Sequence, residues 1–300
     1  MDQLKNIFKK NIRIILFNTL GRIGYRIKKK KNIVILTSSR SGSTWFVESI
    51  LLSLRAKHIN QPYDCFFNNN VYKNKLPINN DNFHFINLSN SENKKLNAYW
   101  SKLVNGNINI NSTWNVFSKE FKFLYERKIF KIFFLKEKID FFTEQKDIII
   151  FYLIRNPLDT SLSNINYNYG ISGDSLIKYK AVEKYPKEFK KLKTIYLETD
   201  NILMKYIIGW AFENYKPYTY AKSNNQILML RYEDLKDRNK YILKRLKAEL
   251  GEKFTLKKTK SKTFNNQKPQ NNNGISRSLI LNENYNFLKS TIKKYFDYNI

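Results

Sequence analysis

The chain has 300 residues, 42% hydrophobic and 15% aromatic, which supplies a core and excludes a wholly disordered protein. One cysteine, Cys65, and two histidines, His58 and His84, exclude an intramolecular disulfide framework and multi-cysteine metal sites, and argue against zinc hydrolases built on two or three His ligands. The 54 basic against 25 acidic residues leave a net charge of +29, which suits an anionic ligand without choosing one, because abundant Lys and Asn with scarce Gly and Pro also fit an AT-rich coding bias.

In chain order, residues 1–31 form a basic, partly amphipathic extension. Lys9, Lys10 and Arg13 surround the start of a short apolar stretch, and Lys28 to Lys31 form a four-lysine block. The stretch is too short to span a bilayer and lacks a clean small-residue cleavage site, so it reads as a helix on the domain or one touching a membrane surface. Residues 32–300 read as one domain in a cytoplasmic protein. Asn32–Thr37 carries four consecutive apolar residues and reads as a buried parallel strand. Small residues break it at 38–43, and from Thr44 the positions Phe46, Val47, Ile50, Leu51 and Leu54 follow helical spacing. The Asn-rich segment 60–111 shows weak periodicity and reads as irregular, a natural acceptor-binding region. Strands are expected at 129–135 and 148–154, the latter leading through Arg155 and Asn156 into a helix over 159–167 with Asp159 as N-cap. A long helix over 196–221, a strand over 227–231, a helix over 241–250 closed by Gly251, and a last helix over 281–295 complete the pattern. Strands alternating with helices predict an α/β fold, a central parallel sheet flanked by helices.

Two segments carry chemistry. Thr37-Ser-Ser-Arg-Ser-Gly-Ser-Thr-Trp-Phe46 turns a strand through small residues into a helix, which exposes backbone N–H groups to an anion at the helix N-terminus. Gly42 permits close backbone approach, Ser43 and Thr44 add hydroxyls, and Arg40 adds a fixed charge. No Gly-Lys-Ser/Thr closes the loop, so the lysine and metal-binding hydroxyl of an NTPase are not evident. In Tyr152-Leu-Ile-Arg-Asn-Pro-Leu-Asp-Thr-Ser-Leu-Ser163, Arg155 ends a buried strand, where open α/β sheets bind ligands, and Ser163 follows eight residues later. A plain alternative is that Arg155 pairs with Asp159 and Ser163 bonds its own helix.

Together these segments resemble the sulfotransferases that use 3′-phosphoadenosine 5′-phosphosulfate (PAPS), and Leu230-Arg-Tyr-Glu-Asp-Leu235 is similar to another recurring segment of that family. The resemblance implies a P-loop NTPase-like sulfotransferase fold and a 5′-phosphosulfate loop made of Ser39, Arg40, Ser41, Gly42, Ser43 and Thr44. It implies Arg40 on the departing phosphate, Trp45 near the adenine, Arg155 and Ser163 on the 3′-phosphate, and Arg277 in a late closing loop. It requires no metal. The family's Lys-Thr-His context is not found; Leu135-Lys-Glu-Lys138 resembles the Glu-containing context of glycan-modifying members. Glu137 is therefore the first candidate for the base, its flanking Lys136 and Lys138 favouring the ionised form, with His84 in reserve and His58 behind it. The implied partners are PAPS or its product PAP and a carbohydrate or glycolipid acceptor, on which Trp100 and Trp114 are candidates to stack, rather than nucleic acid. Two rival readings are a nucleotide kinase or NTPase, and a basic nucleic-acid-binding protein that would show steep salt dependence.

Overall fold

The structure is a computed structural model, and it describes residues 25–27, 30–64, 76, 82–106, 124–257 and 282–300. In chain order it contains β1 (Tyr25–Arg26), β2 (Asn32–Thr37), α1 (Ser43–Leu51), β3 (Ala56–Asn60), α2 (Asn90–Asn105), β4 (Leu124–Tyr125) and β5 (Arg127–Ile132). A 3₁₀ turn (Phe134–Lys138) leads to α3 (Ile139–Thr143), β6 (Ile148–Ile154), α4 (Pro157–Asn166), α5 (Gly173–Lys178), α6 (Lys187–Glu198) and α7 (Ile202–Ser223). The chain continues through β7 (Ile227–Arg231), α8 (Tyr232–Lys236), α9 (Lys240–Leu250) and α10 (Tyr285–Phe296).

Five strands form one parallel sheet in the order β3-β5-β2-β6-β7, and β1 pairs with β4 in a separate two-stranded ladder. Alternation along the strands divides the core. Val34, Leu36, Tyr152 and Ile154 face one apolar cluster with α2, α6, α7 and α10, while Ile33, Ile35, Phe151 and Leu153 face another with α1 and α9. Both faces are covered, as parallel strands with continuous apolar runs require. Strands β2 and β6 are neighbours, with Thr37 opposite Leu153. The loops that begin at Ser38 and Arg155 therefore leave the same end of the sheet side by side.

The chain departs from its sequence-based reading in several places. Residues 60–111 contain α2, whose buried Leu96, Tyr99, Trp100 and Leu103 follow helical spacing under a capping box of Ser89 and Glu92. The abundant Asn and Lys on its other faces dilute that period. Trp100 packs against Phe130, Phe141 and Phe142 and is core, not a sugar platform; Trp114 lies outside the described residues. Strand β3 was hidden by its composition, since three of the residues in Ala-Lys-His-Ile-Asn are polar and it lies at the sheet edge. The strand expected over 129–135 ends at Ile132 and the chain tightens into the 3₁₀ turn, which moves Lys136 and Glu137 off the sheet. The long helix expected from 196 is two helices. Asn201 caps the second through Met204 N–H at 3.0 Å.

Asn156, not Asp159, caps α4, accepting from the N–H groups of Leu158 (2.9 Å) and Asp159 (3.3 Å), with Pro157 in the first turn. This helix carries Ser163. Asn156→Ala is expected to lower stability by about 0.5–2 kcal/mol in chemical denaturation; Asn156→Ser, which restores a capping oxygen, recovers most of the loss.

Candidate functional site

The loop after β2 is built from backbone that most residues avoid. Arg40 has φ 59° and Gly42, the residue before α1, has φ 79°. Among the described residues no side chain caps α1, and its first turn holds no carboxylate, which suits its N-terminus to an anion. Gly42 has a steric duty as well: a Cβ there would lie 2.2 Å from Cδ2 of Tyr232. The Tyr232 ring in turn stands edge-on to half-buried Trp45, with centroids 5.8 Å apart.

The loops after β2 and β6 are tied together. Arg40 Nε donates to Ser163 Oγ at 3.0 Å, and its guanidinium lies 3.8 Å above the Tyr167 ring. Arg155 Nη1 donates to the Arg40 carbonyl oxygen at 3.1 Å, and its guanidinium lies 5.0 Å from the Tyr232 ring centroid. Arg155 also meets Asp159 at 3.5 Å, so this pairing exists but is long and half-exposed. The buried Arg155 Nε has no partner among the described residues. Ser39 Oγ donates to Asn164 Oδ1 at 2.8 Å, and Ser41 Oγ to the Ser38 carbonyl at 2.8 Å. Ser43 is buried, whereas Thr44 is exposed and its hydroxyl accepts from Lys131 Nζ at 3.2 Å. Burial lowers the Lys131 ammonium to about 8, with Glu48 opposing. Arg277 lies outside the described residues.

A second charged group sits behind the loop. The Lys136 ammonium, fully buried, donates to Ser38 Oγ and to Asn214 Oδ1 (3.3 Å) and pairs with Glu213 at 2.8 Å. Asn214 Oδ1 also accepts from Ser38 Oγ (3.2 Å) and Tyr152 OH (2.8 Å), and its Nδ2 holds the Trp210 carbonyl. Burial lowers the Lys136 ammonium, and the Glu213 carboxylate opposes the shift.

The two candidate bases flank this pair. Glu137 Oε1 accepts from Tyr185 OH at 3.1 Å, and the Lys216 ammonium donates to the Glu137 carbonyl. Burial pushes the Glu137 carboxyl up to about 7, against the pull of Lys216, Tyr185 and Lys136. The sequence-based expectation that flanking lysines keep it ionised is thus outweighed by desolvation. His84 is also buried, against Phe83 and Phe134, and burial lowers it to about 4 although Glu213 acts to raise it. His58 lies on β3, and burial with the Lys131 charge lowers it to about 3. A cavity of about 510 Å³ opens beside Glu137, lined also by Lys138, Lys184, Tyr215, Lys216 and Tyr220.

Residues 30–297 match the family model of the sulfotransferase domain. The chain belongs to the sulfotransferase family. Among curated proteins, it is 25% identical over 293 residues to the DNA-directed RNA polymerase subunit beta of Euglena longa. That match covers 96% of this chain and spans about a quarter of the relative, 24% of its length. Among solved structures, mouse sulfotransferase SULT7A1 complexed with PAP is 17% identical, with a TM-score of 0.33, 86% of this chain and 68% of that chain being covered.

Several residues of this site escaped the sequence reading. Glu213 and Asn214 follow the apolar run 207–212 inside a long helix, and a polar pair in that position was the available signal of a buried network. Asn164 and Tyr167 lie just beyond Ser163, and Tyr232 lies within the quoted Leu230–Leu235 segment. Lys131 had no signal beyond being a lysine in an apolar strand.

Gly42→Ala is expected to lower stability by at least about 1–2 kcal/mol, the cost of a left-handed Cβ, with more from the Tyr232 clash. Measured by denaturation, its cost should shrink in a Tyr232→Ala background, because only the steric share couples the two positions. Equal costs in both backgrounds would separate the glycine from the ring.

Proposed function

We propose that this chain is a PAPS-dependent sulfotransferase that moves a sulfuryl group to a hydroxyl or amine of an acceptor, a carbohydrate or glycoconjugate. One observation carries the reading. Arg40, Arg155 and Ser163 converge at the C-terminal ends of two adjacent parallel strands, beside an uncapped helix N-terminus. Several cationic or N–H donors meet there, and Asp159, the nearest carboxylate to Arg155, is mostly exposed. That arrangement suits a ligand with two separate anionic groups, as PAPS has.

In this reading the loop Ser39, Arg40, Ser41, Gly42, Ser43 and Thr44 holds the 5′-phosphosulfate, and Arg155 with Ser163 holds the 3′-phosphate. Trp45, backed by Tyr232, borders the base. The acceptor oxygen attacks sulfur while the bond from sulfur to the bridging oxygen breaks; that oxygen leaves on PAP as phosphate, and the acceptor proton passes to Glu137. Arg40 stabilises the charge that develops on the bridging oxygen, and Lys131 reaches the same loop at Thr44. The Leu135-Lys-Glu-Lys138 context supports a glycan acceptor, and Glu137 lines an open cavity whereas His84 is enclosed. Labelled-sulfate transfer from PAPS across a glycan and glycolipid panel tests the activity. Transfer that survives EDTA supports the reading, and magnesium-dependent ATP hydrolysis instead of transfer would establish the kinase rival.

Charge-assisted hydrogen bonds contribute about 1.5–3 kcal/mol. Arg155→Ala should therefore weaken PAP binding at least about tenfold. AMP, which lacks the 3′-phosphate, should be affected far less, and equal losses for both would remove the assignment.

Glu137→Gln keeps shape and hydrogen bonding but removes basicity, and turnover should fall about 10²–10⁴-fold with PAP affinity nearly unchanged. Wild-type turnover should rise with pH up to about 7 as the buried carboxyl ionises. A raised folded pKa means that stability is lost as pH rises from the ordinary carboxylate range through about 7. The Gln variant should thus be the more stable protein above pH 7, a difference that closes towards pH 4. Near-normal turnover in Glu137→Gln, with loss in His84→Ala, would transfer the role to His84.

A further inference from the structure

The cavity beside Glu137 carries more charge of one sign than an acceptor pocket for a neutral molecule needs. Lys138, Lys184 and Lys216 all line it, against the single carboxyl of Glu137. Lys184 Nζ donates to Asn87 Oδ1 at 2.8 Å and Lys138 Nζ to Asn93 Oδ1 at 3.4 Å. Amide oxygens orient these ammonium groups without neutralising them. Lys216 reaches the Glu137 carbonyl and comes no nearer to Asp140 than 3.8 Å, where both side chains are over two-fifths exposed.

The walls between these charges are aromatic. Tyr215 and Tyr220 are half-buried and line the cavity; the Tyr215 ring packs on Tyr185, Phe189 and Tyr295, and Tyr220 OH meets Thr143 Oγ1 at 3.0 Å. Flat rings with polar rims suit the apolar face of a sugar ring. The volume of about 510 Å³ lies within the usual span of small-ligand sites, roughly 300–1,000 Å³.

Connection to the nucleotide loops runs through one peptide step. Lys136 and Glu137 are consecutive in the 3₁₀ turn; the Lys136 ammonium touches Ser38 of the loop, and the Glu137 carboxyl lines the cavity. The cavity lining therefore begins one residue from the Lys136 contact with the loop after β2.

We infer that this cavity binds the acceptor and selects an anionic sugar, its carboxylate or sulfate held by Lys138, Lys184 and Lys216 and its ring face laid on Tyr220. The inference rests on the sulfotransferase reading above and adds the class of acceptor.

The test uses the full chain saturated with PAP, whose binding is measured first. Failure of PAP to bind would sink the sulfotransferase reading itself, so it is distinguishable from failure of the acceptor inference. A uronate-containing hexasaccharide, the same hexasaccharide with its carboxylates reduced to alcohols, and that reduced form carrying sulfate esters are then titrated by calorimetry. The uronate form is expected to bind at least about tenfold tighter than the reduced form, with the preference shrinking as salt rises because the contacts are half-exposed. The sulfated arm reports which anion is preferred: recovery of affinity with sulfate shows that negative charge itself is read, and recovery absent shows a carboxylate-specific site. Lys184→Glu should remove the preference and leave PAP affinity at its wild-type value. Equal affinity of wild type for the uronate and reduced forms, or a preference indifferent to salt and to Lys184→Glu, would overturn the inference.

Discussion

The Lys136 ammonium is wholly buried, and a charge taken out of water has to be compensated where it sits. Glu213 supplies the opposite charge, and Ser38 and Asn214 supply oxygens. These groups belong to separate parts of the chain: the loop after β2, the 3₁₀ turn after β5, and α7. Moving any one of them would strand an ion in a low-dielectric interior, a loss that typically runs to about 3–5 kcal/mol for a broken buried pair. The network thus fixes the back of the loop after β2 against the helix layer and sets where Glu137, the next residue, can point. Asn214 extends the same constraint into the sheet by holding Tyr152 of β6.

In front of that network the electrostatics are reversed. Arg40 and Arg155 are brought together by a side chain-to-carbonyl bond, and Arg40 rests on a tyrosine ring and a serine hydroxyl rather than on a carboxylate. The Arg155 guanidinium is tied to the Arg40 backbone, and its carboxylate partner, Asp159, is 3.5 Å away and largely exposed. Beside Glu137, three lysines share a cavity with one carboxyl. At the two candidate sites the described basic side chains outnumber the carboxylates, which suits an anionic ligand.

Apolar runs explain what could be read in advance. Strands β2, β6 and β7 are buried in the middle or near one side of the sheet, so their sequences are nearly continuous in Ile, Leu and Val and leave no ambiguity. Strand β3 at the opposite edge, and α2 with one buried stripe under an Asn- and Lys-rich exterior, carry weaker periods. The capping pattern Ser-x-x-Glu at 89–92 was the stronger clue to α2 than its hydrophobicity. At the site, the loop residues were legible because backbone geometry demands small residues in a row. Lys131, Lys136, Glu213 and Asn214 were not, because their role arises from burial in three dimensions, and a lysine in a strand looks the same whether its ammonium reaches solvent or a loop.

Glu137 and His84 show how one interior acts in opposite senses on two candidate bases. Desolvation penalises whichever form is charged, so it raises the carboxyl to about 7 and lowers the imidazole to about 4. Near neutral pH both groups therefore have a proton-accepting form: His84 is neutral, and the Glu137 carboxyl titrates in that range. Basicity favours Glu137, since a group with a pKa near the working pH combines an available lone pair with useful driving force. Access favours it too, because Glu137 retains 6% exposure on the wall of a cavity while His84 has none. For His84 to reach an acceptor, the packing of Phe83 and Phe134 around it would have to open. A group that can take a proton only after the core opens is at a disadvantage to one already facing the space where the acceptor would lie. The burial that keeps His84 enclosed is the same burial that holds Glu137 near neutrality, so the two assignments are not independent.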